Sequence, residues 1–236
     1  MKVLYVLFAM DILNMAIILP VFNGFLKSLG STPFTNGIIN SSCAFISLLW
    51  NPVVGSLSDQ VGRRNLLAKC LTANLLGNVV LIFSSGSLLM VYFSKLISAF
   101  GSPVNILLKT LVTDVYKTDE EKKAFFNKTP LVISVMFIAG SLLSGFMSEA
   151  ENGFIKVFIL LSCINCITIY VASTYLPDDT KTNRKTSNNN SLTKKAVEEI
   201  KSAVLNIKSI NWSRYWDIFA LKGAYEVEKW AMFFFL

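Results

Sequence analysis

Residues 55–64 read GSLSDQVGRR, with one acid and two arginines set between long apolar stretches. Gly55 and Gly62 favour close helix approach and a tight reversal, because glycine carries no Cβ and tolerates conformations that other residues avoid. Asp59 is placed to pair with a cation or to accept hydrogen bonds from the N–H groups at a helix end. An inner loop of a membrane protein accounts for the two arginines. It does not account for the glycines and the acid at this spacing.

The composition around this segment is that of a membrane protein. The chain has 236 residues, of which 53% are hydrophobic and 16% charged, and its mean hydropathy is +0.53. A bilayer core of about 30 Å needs about 20 apolar residues per helix. The sequence therefore predicts an all-α membrane protein with a six-helix bundle over 1–176. The predicted spans run from Val3 to Phe25, Phe34 to Leu57, Leu66 to Ser84, Leu88 to Thr113, Pro130 to Ser148 and Phe154 to Leu176.

The chain beyond the sixth span changes character. Residues 177–195 carry almost no apolar side chains, which predicts a disordered segment. Apolar residues then recur at helical spacing over about 192–208, with lysines between them. This pattern predicts an amphipathic helix, either on the inner membrane surface or packed beneath the bundle. The cytoplasmic linker thus covers 177–216, and an incomplete seventh helix follows over 217–236.

Basic residues concentrate in the second and fourth predicted connections, whereas the first, third and fifth carry only Lys27 and Lys156. The positive-inside rule then places the N-terminus and the central loop in the cytoplasm. The net charge of +7 reflects this topology and contact with anionic lipid, and no soluble basic face for a nucleic acid is visible. The basic residues assigned to the cytoplasmic connections are Arg63, Arg64, Lys69, Lys117, Lys122, Lys123 and Lys128.

An enzyme is not expected. The chain contains no histidine, which removes the commonest zinc ligand and the usual proton carrier at neutral pH. There is no nucleotide-binding glycine loop and no hydrophilic catalytic domain, and the four cysteines all fall in predicted spans, where packing explains them. The sequence predicts neither a metal site nor a cofactor.

Two ionisable residues lie deep within predicted spans, where charge is costly and usually functional. Asp11 is nine residues beyond Lys2, about 14 Å from the inner surface at helical rise. Lys95 is eight residues beyond Ser87, about 12 Å from the outer surface. In a core of about 30 Å, the two residues lie within roughly 4 Å of each other in depth.

The segment at 55–64 resembles the loop between helices two and three of the major facilitator superfamily, whose pattern is G-x-L-x-D-x-x-G-R-R. Met10 to Phe22, reading MDILNMAIILPVF, is similar to the first helix of the drug/proton antiporter branch. SKLISAFGS resembles the fourth-helix pattern, with Lys95 where the family usually has arginine. GSLLSG departs from the fifth-helix pattern G-P-x-x-G-G of the antiporters. The residues that match the loop pattern are Gly55, Leu57, Asp59, Gly62, Arg63 and Arg64.

The resemblance implies a secondary transporter of a small organic solute, with two six-helix halves, of which this chain would supply the N-terminal one as a truncated product. It places helices one and four together on the central cavity, so Asp11 and Lys95 are expected to face each other as an ion pair that couples protons to transport. Asn14, one turn from Asp11, is expected to contact substrate. The 55–64 segment is expected to govern conformational change.

Two alternatives remain open from the sequence. A buried ion pair with a purely structural role would also explain Asp11 and Lys95. The chain as a whole would also fit a half-transporter that moves no solute and acts by associating with itself or with other membrane proteins.

Overall fold

The computed structural model describes residues 2–84, 86–116 and 118–176, together with the single positions 216, 217, 220, 221 and 224. This part of the chain is helical throughout, without a strand. The helices are α1 (Lys2–Ser28), α2 (Pro33–Val61), α3 (Arg63–Phe83), α4 (Leu88–Phe100), α5 (Val104–Val115), α6 (Asp119–Ser148) and α7 (Gly153–Tyr175). The predicted linker and amphipathic helix lie outside the described residues, as does most of the predicted seventh helix.

Six spans in the described residues are long and apolar enough to cross a membrane, which confirms the predicted fold class. Five are single helices, and the fourth, Leu88–Val115, is made of α4 and α5 together. The predicted boundaries of the first four spans and the sixth agree with the helices to within about four residues.

The fifth span begins much earlier than predicted. Helix α6 starts at Asp119 after Thr118, and its first turn carries three acids, which the positive end of the helix dipole stabilises. Pro130, predicted to begin the span, lies inside this helix. Lys122, Lys123 and Lys128 are therefore helical, and the loop assigned to them is wrong. Residues 119–129 are largely polar, so hydropathy did not show that the helix begins before the apolar residues.

The fourth span is interrupted where a continuous helix was predicted. Gly101, Ser102 and Pro103 separate α4 from α5, since proline has no N–H to continue the ladder. Neighbouring helices satisfy the carbonyl groups exposed there, as membrane burial requires. The Trp50 indole donates to the Phe100 carbonyl at 2.9 Å, and the Asn74 amide donates to the Gly101 carbonyl at 3.2 Å.

The bundle packs as two apolar clusters, one above the other. Helix α1 contacts α6 and α7, α3 contacts α4 and α7, and α2 lies against α4. One cluster, at the end that carries the 55–64 segment, includes Leu7, Leu67, Leu107 and Phe125. The other, toward the opposite end, includes Ile17, Phe25, Val91 and Phe158. The layer between the clusters holds the candidate site.

Candidate functional site

A cavity of about 170 Å³ lies between α1, α3, α4 and α7, in the layer between the two apolar clusters. We call it the polar chamber. Four asparagines, a serine, one acid and one lysine line it together with four apolar side chains. The polar lining residues are Asp11, Asn14, Asn74, Asn78, Lys95, Ser98 and Asn165.

The register of the helices explains why these side chains meet. On α1 the first cluster ends at Ile12 and the second begins at Ile17, and Asn14 falls in the gap. On α3 the corresponding gap lies between Leu71 and Leu81 and contains the two asparagines of that helix. Because α7 runs antiparallel to α1 and repeats this pattern, polar residues from separate helices converge at one depth.

Asp11 is half-buried on the wall of the chamber. The side-chain amide of Asn105 donates a hydrogen bond to its carboxylate. Asn105 belongs to the first turn of α5, directly after the break in the fourth span. The acid therefore connects α1 to the start of α5.

Lys95 is half-buried on the same chamber, but it points away from the acid. Its Nζ lies 3.7 Å from the centroid of the Phe22 ring, a cation–π contact. Phe22 lies eleven residues beyond Asp11 on α1, about 16 Å along the helix axis. Among the described residues the two charges form no ion pair, so the expected pairing was wrong. The depth estimate located the backbone and not the end of the long lysine side chain.

The asparagines of the chamber differ in their hydrogen bonding. Asn165 donates to the Asn14 side-chain oxygen at 3.4 Å and to the Leu161 carbonyl at 3.1 Å. Asn14 donates to the Met10 carbonyl at 3.0 Å. Asn78 is only 7% exposed, and the described part of the chain offers its amide no hydrogen-bond partner. Asn14 is thus hydrogen-bonded to α7, whereas the side chain of Asn78 lines the cavity.

The 55–64 segment ends in the reversal that the sequence predicted. Gly62 joins α2 to α3 with φ 103° and ψ 132°. Glycine adopts this conformation readily, and residues with a Cβ rarely do. Gly55 lies within α2, and a Cβ added there would meet no heavy atom within 4 Å. The close approach expected at Gly55 is therefore absent among the described residues. Leu57 is half-buried against the first apolar cluster, and the side chain of Asp59 lies outside the described part.

Both arginines of the segment bind the ends of neighbouring helices. The Arg63 guanidinium lies 2.5 Å from the Asp114 carboxylate and donates to the Thr110 carbonyl at 2.8 Å. Arg64 donates to the Ser173 carbonyl near the end of α7. Cations suit these positions, because the carbonyl end of a helix is the negative end of its dipole. The segment is thereby fastened to α5 and α7.

Sequence reasoning missed Asn105 and Asp114 as partners of the predicted residues. Neither residue was assigned a role in the site or a partner from the sequence. A signal was present in their spacing: nine residues separate them, so they lie at opposite ends of one short helix.

The family model described as Major Facilitator Superfamily matches residues 4–236. The chain is 25% identical over 173 residues to the class B tetracycline resistance protein of Escherichia coli, a match that covers 72% of this chain and 42% of that protein. It is 27% identical over 115 residues to the bacillibactin exporter of Bacillus subtilis, covering 47% of this chain and 29% of the exporter. The matches thus span less than half the length of either relative.

A solved structure shares the fold. The human organic anion transporter MFSD10 (TETRAN) superposes with a TM-score of 0.64 at 17% sequence identity. The superposition covers 81% of this chain and 51% of that transporter. At this identity the likeness concerns the arrangement of helices alone.

Proposed function

The chain belongs to the Major Facilitator Superfamily, and from this membership we propose that it forms one six-helix half of a secondary transporter of small organic solutes. The observation that carries the proposal is the polar chamber at mid-bundle, which gathers an acid, a lysine and four asparagines from separate helices. Each charged side chain costs about 2.5–3.5 kcal/mol at the centre of a membrane helix. Such residues are retained where a solute or an ion is handled.

Several finer features of the sequence support a narrower assignment within the family. The first-helix stretch MDILNMAIILPVF is similar to the drug/proton antiporter branch. The stretches FLKSLGSTP, GIINSS, SDQVGRR and YWDIF together resemble the orphan major facilitator superfamily domain-containing protein 9. We place the chain nearest this orphan, as an N-terminal half with its N-terminus and central linker in the cytoplasm.

We assign proton coupling to Asp11. Its carboxylate accepts a hydrogen bond from Asn105, so protonation would remove a charge and weaken the contact between α1 and α5. Lys95 contributes the opposite charge to the chamber without being paired to the acid, and Asn14 contacts solute beside Asp11. If the carboxylate binds a proton more tightly in one state of the cavity than in the other, proton binding shifts the equilibrium between the two states. In this way the residue couples protons to transport.

The 55–64 segment acts on the conformational step in this proposal. Gly55, Leu57, Asp59 and Gly62 shape the reversal, and the two arginines fasten it to α5 and α7. A contact of this kind biases one arrangement of the helices over another and leaves the chamber itself unchanged.

The partner of this half is a second six-helix unit. The class B tetracycline resistance protein and the MFSD10 transporter are each about twice as long as the region matched here, which is the length that such a unit on the same chain would need. A second copy of this chain would supply it if no longer product is made. The other partners are the solute, protons and the bilayer, and we propose neither a cofactor nor an enzymatic activity.

Uptake by proteoliposomes that contain the complete translated product tests the proposal. The wild-type protein should accumulate solute when a proton gradient is imposed. Asp11→Asn should lose this accumulation but keep exchange between labelled and unlabelled solute, because the amide retains its shape and cannot carry a proton. Accumulation that survives in Asp11→Asn would overturn the coupling role, and the absence of exchange in the wild type would overturn transport.

A further inference from the structure

We propose that an apolar groove between α1 and α6 binds an anionic glycerophospholipid, with an acyl chain in the groove and the lipid phosphate on Lys128. This inference goes beyond the proposed transport function and does not depend on it. It is carried by the shape of the groove, by the register of Lys128 and by the polar groups at one end of the groove.

The groove is a cavity of about 330 Å³ on the outside of the bundle. Its rim, formed by Val6, Leu131 and Val135, is exposed, so the cavity opens onto the surroundings of the bundle. Apart from the Tyr5 hydroxyl, the side chains that line it are apolar. The lining residues are Tyr5, Val6, Ala9, Leu131, Val132, Val135 and Met136.

Helices α1 and α6 begin at the same end of the bundle. The ring of Tyr5, near the start of α1, lies 4.3 Å from the ring of Phe125, near the start of α6, measured between centroids. Farther along both helices, Gly140 of α6 approaches Ala16 of α1. The two helices are therefore parallel, and one end of the groove coincides with the polar start of α6.

Lys128 stands at that end of the groove. It precedes Leu131 and Val132 by three and four residues, the spacing of neighbours on one helix face. Its side chain is exposed. Within the described residues Lys128 forms no ion pair, whereas Lys122 lies 3.8 Å from Asp119. An uncompensated positive charge therefore lies one turn from the apolar groove, on the same face of α6.

Tyr5 adds a hydrogen-bonding group at the same end. In the described part of the chain its hydroxyl forms no hydrogen bond, and a phenol can donate to a phosphate or an ester oxygen. Tyrosine is common at the depth of lipid headgroups, since one end of it is apolar and the other is polar. The register of α1 matches that of α6, because Lys2 precedes Tyr5 by three residues, as Lys128 precedes Leu131.

The charge at this end favours an anionic headgroup. The nearest acid on α6, Glu121, lies seven residues before Lys128, about 10.5 Å along the axis. A phosphatidylcholine headgroup brings a cation together with its phosphate, and Lys128 repels that cation. Phosphatidylglycerol brings the phosphate alone. A lysine near the surface of an anionic membrane contributes about 1 kcal/mol of attraction, which corresponds to about a fivefold difference in affinity.

The residues of the groove favour a lipid chain over another helix. Helices pack in membranes through small residues, and no hydrophobic force drives them together, because lipid tails are as apolar as leucine. Among the lining residues only Ala9 is small. The remaining side chains are bulky and leave a cleft between them, which a flexible hydrocarbon chain fills more closely than a rigid helix does.

Photocrosslinking of the complete translated product in phosphatidylcholine nanodiscs tests the proposal. The probe is phosphatidylglycerol with a diazirine in one acyl chain, and the matched probe is phosphatidylcholine with the same chain. Mass spectrometry of peptides should find the phosphatidylglycerol probe on groove residues at least about fivefold more often than the phosphatidylcholine probe. Equal labelling by the two probes would overturn the headgroup preference.

Variants of Lys128 locate the headgroup. Lys128→Gln should lower labelling of the groove by phosphatidylglycerol about fivefold, and Lys128→Arg should preserve it. The control is Lys123→Gln, an exposed lysine of the same helix that lies about 140° around the axis from Lys128, and it should have no effect. Unchanged labelling in Lys128→Gln would overturn the assignment of the phosphate to this side chain.

A filled groove locates the acyl chain. Ala9→Leu should reduce labelling of the groove by both probes, and Ala44→Leu, an equal change at an exposed position of α2, should not. Unchanged labelling in Ala9→Leu would overturn the seat of the chain. If this variant fails to fold, the exposed position 128 still tests the site.

Two other occupants give different results. A second copy of the chain or a second six-helix unit on the groove would exclude both probes, and the absence of labelling there would overturn the proposal. Glycerol 3-phosphate carries the headgroup phosphate without acyl chains and should not compete with the phosphatidylglycerol probe. Competition by glycerol 3-phosphate would indicate a site for a free phosphate and would overturn the lipid assignment.

Discussion

The Arg63 guanidinium lies 2.5 Å from the carboxylate of Asp114, at the last turn of α5. At the first turn of the same helix, Asn105 donates to the carboxylate of Asp11 in the polar chamber. Asn105 and Asp114 are nine residues apart, about 13.5 Å along the axis. A single short helix therefore contacts the chamber at one end and the 55–64 segment at the other.

This arrangement predicts that Asp114→Asn slows transport and leaves solute binding nearly intact. The amide keeps the size of the side chain and removes the charge that holds Arg63, so the change acts on the conformational step. We expect a fall of about tenfold in the maximal rate of exchange in vesicles, equivalent to about 1.4 kcal/mol.

The matched control is Asp119→Asn. Asp119 lies 3.8 Å from Lys122 on α6 and its side chain is 88% exposed, whereas the Arg63–Asp114 contact is 2.5 Å and Arg63 is only 17% exposed. A longer and more solvated pair contributes less. Its exchange rate should equal that of the wild type. A loss of affinity at an unchanged rate in Asp114→Asn would contradict the conformational role.

Gly62→Ala should destabilise the protein, because position 62 has φ 103°. A residue with a Cβ in a sparsely populated backbone region costs about 1–3 kcal/mol. Thermal unfolding in detergent, followed by circular dichroism, measures the effect. Gly55→Ala is the control, since a Cβ at position 55 meets nothing within 4 Å. Equal melting temperatures for the two variants would contradict this prediction, because they would show that alanine at position 62 adopts the reversal without strain.

A second glycine marks the contact between α1 and α6. A Cβ added to Gly140 would lie 2.6 Å from the Cβ of Ala16, which is itself fully buried. Gly140→Ala should therefore force the helices apart at a cost of about 1–3 kcal/mol, as overpacking of a core does. Gly145→Ala meets open space and should unfold at or above the wild-type temperature. A reversed order of the two melting temperatures would contradict this packing.

The topology predicted from the basic residues is tested by a cysteine at position 187. Ser187→Cys, in a protein whose native cysteines are replaced, should resist a membrane-impermeant maleimide applied to intact cells. It should react after the membrane is permeabilised, because the linker is assigned to the cytoplasm. Efficient labelling of intact cells would reverse the assigned orientation.

The sequence predicted the number of spans well because hydropathy depends on composition alone. It failed where geometry depends on side-chain direction or on local polarity. The apolar run on both sides of Pro103 concealed the break in the fourth span, and the charged residues after Asp119 concealed the start of a helix. The reversal at Gly62 was predictable, since the spacing of glycine and arginine indicates a turn whatever surrounds it.

The site was predictable only in part. Asp11 and Lys95 were found because ionisable residues are rare in spans, but their partners depend on where neighbouring helices end. Asn78 carries no signal that separates it from other asparagines in spans. Its significance arises from the register of α3 against α4, which brings Gly77 against Ser98 and leaves the amide facing a cavity.

Solute exchange by vesicles that each contain a single protein particle tests the central claim, that these six spans are one half of a transport path. The complete translated product should exchange labelled solute. Residues 1–236 alone should show no exchange as a monomer, because the chamber-bearing half then has no second unit opposite it. Exchange that appears when two copies of residues 1–236 are joined would fit the same account, with the second copy as the partner. Exchange by demonstrably monomeric 1–236 would contradict it.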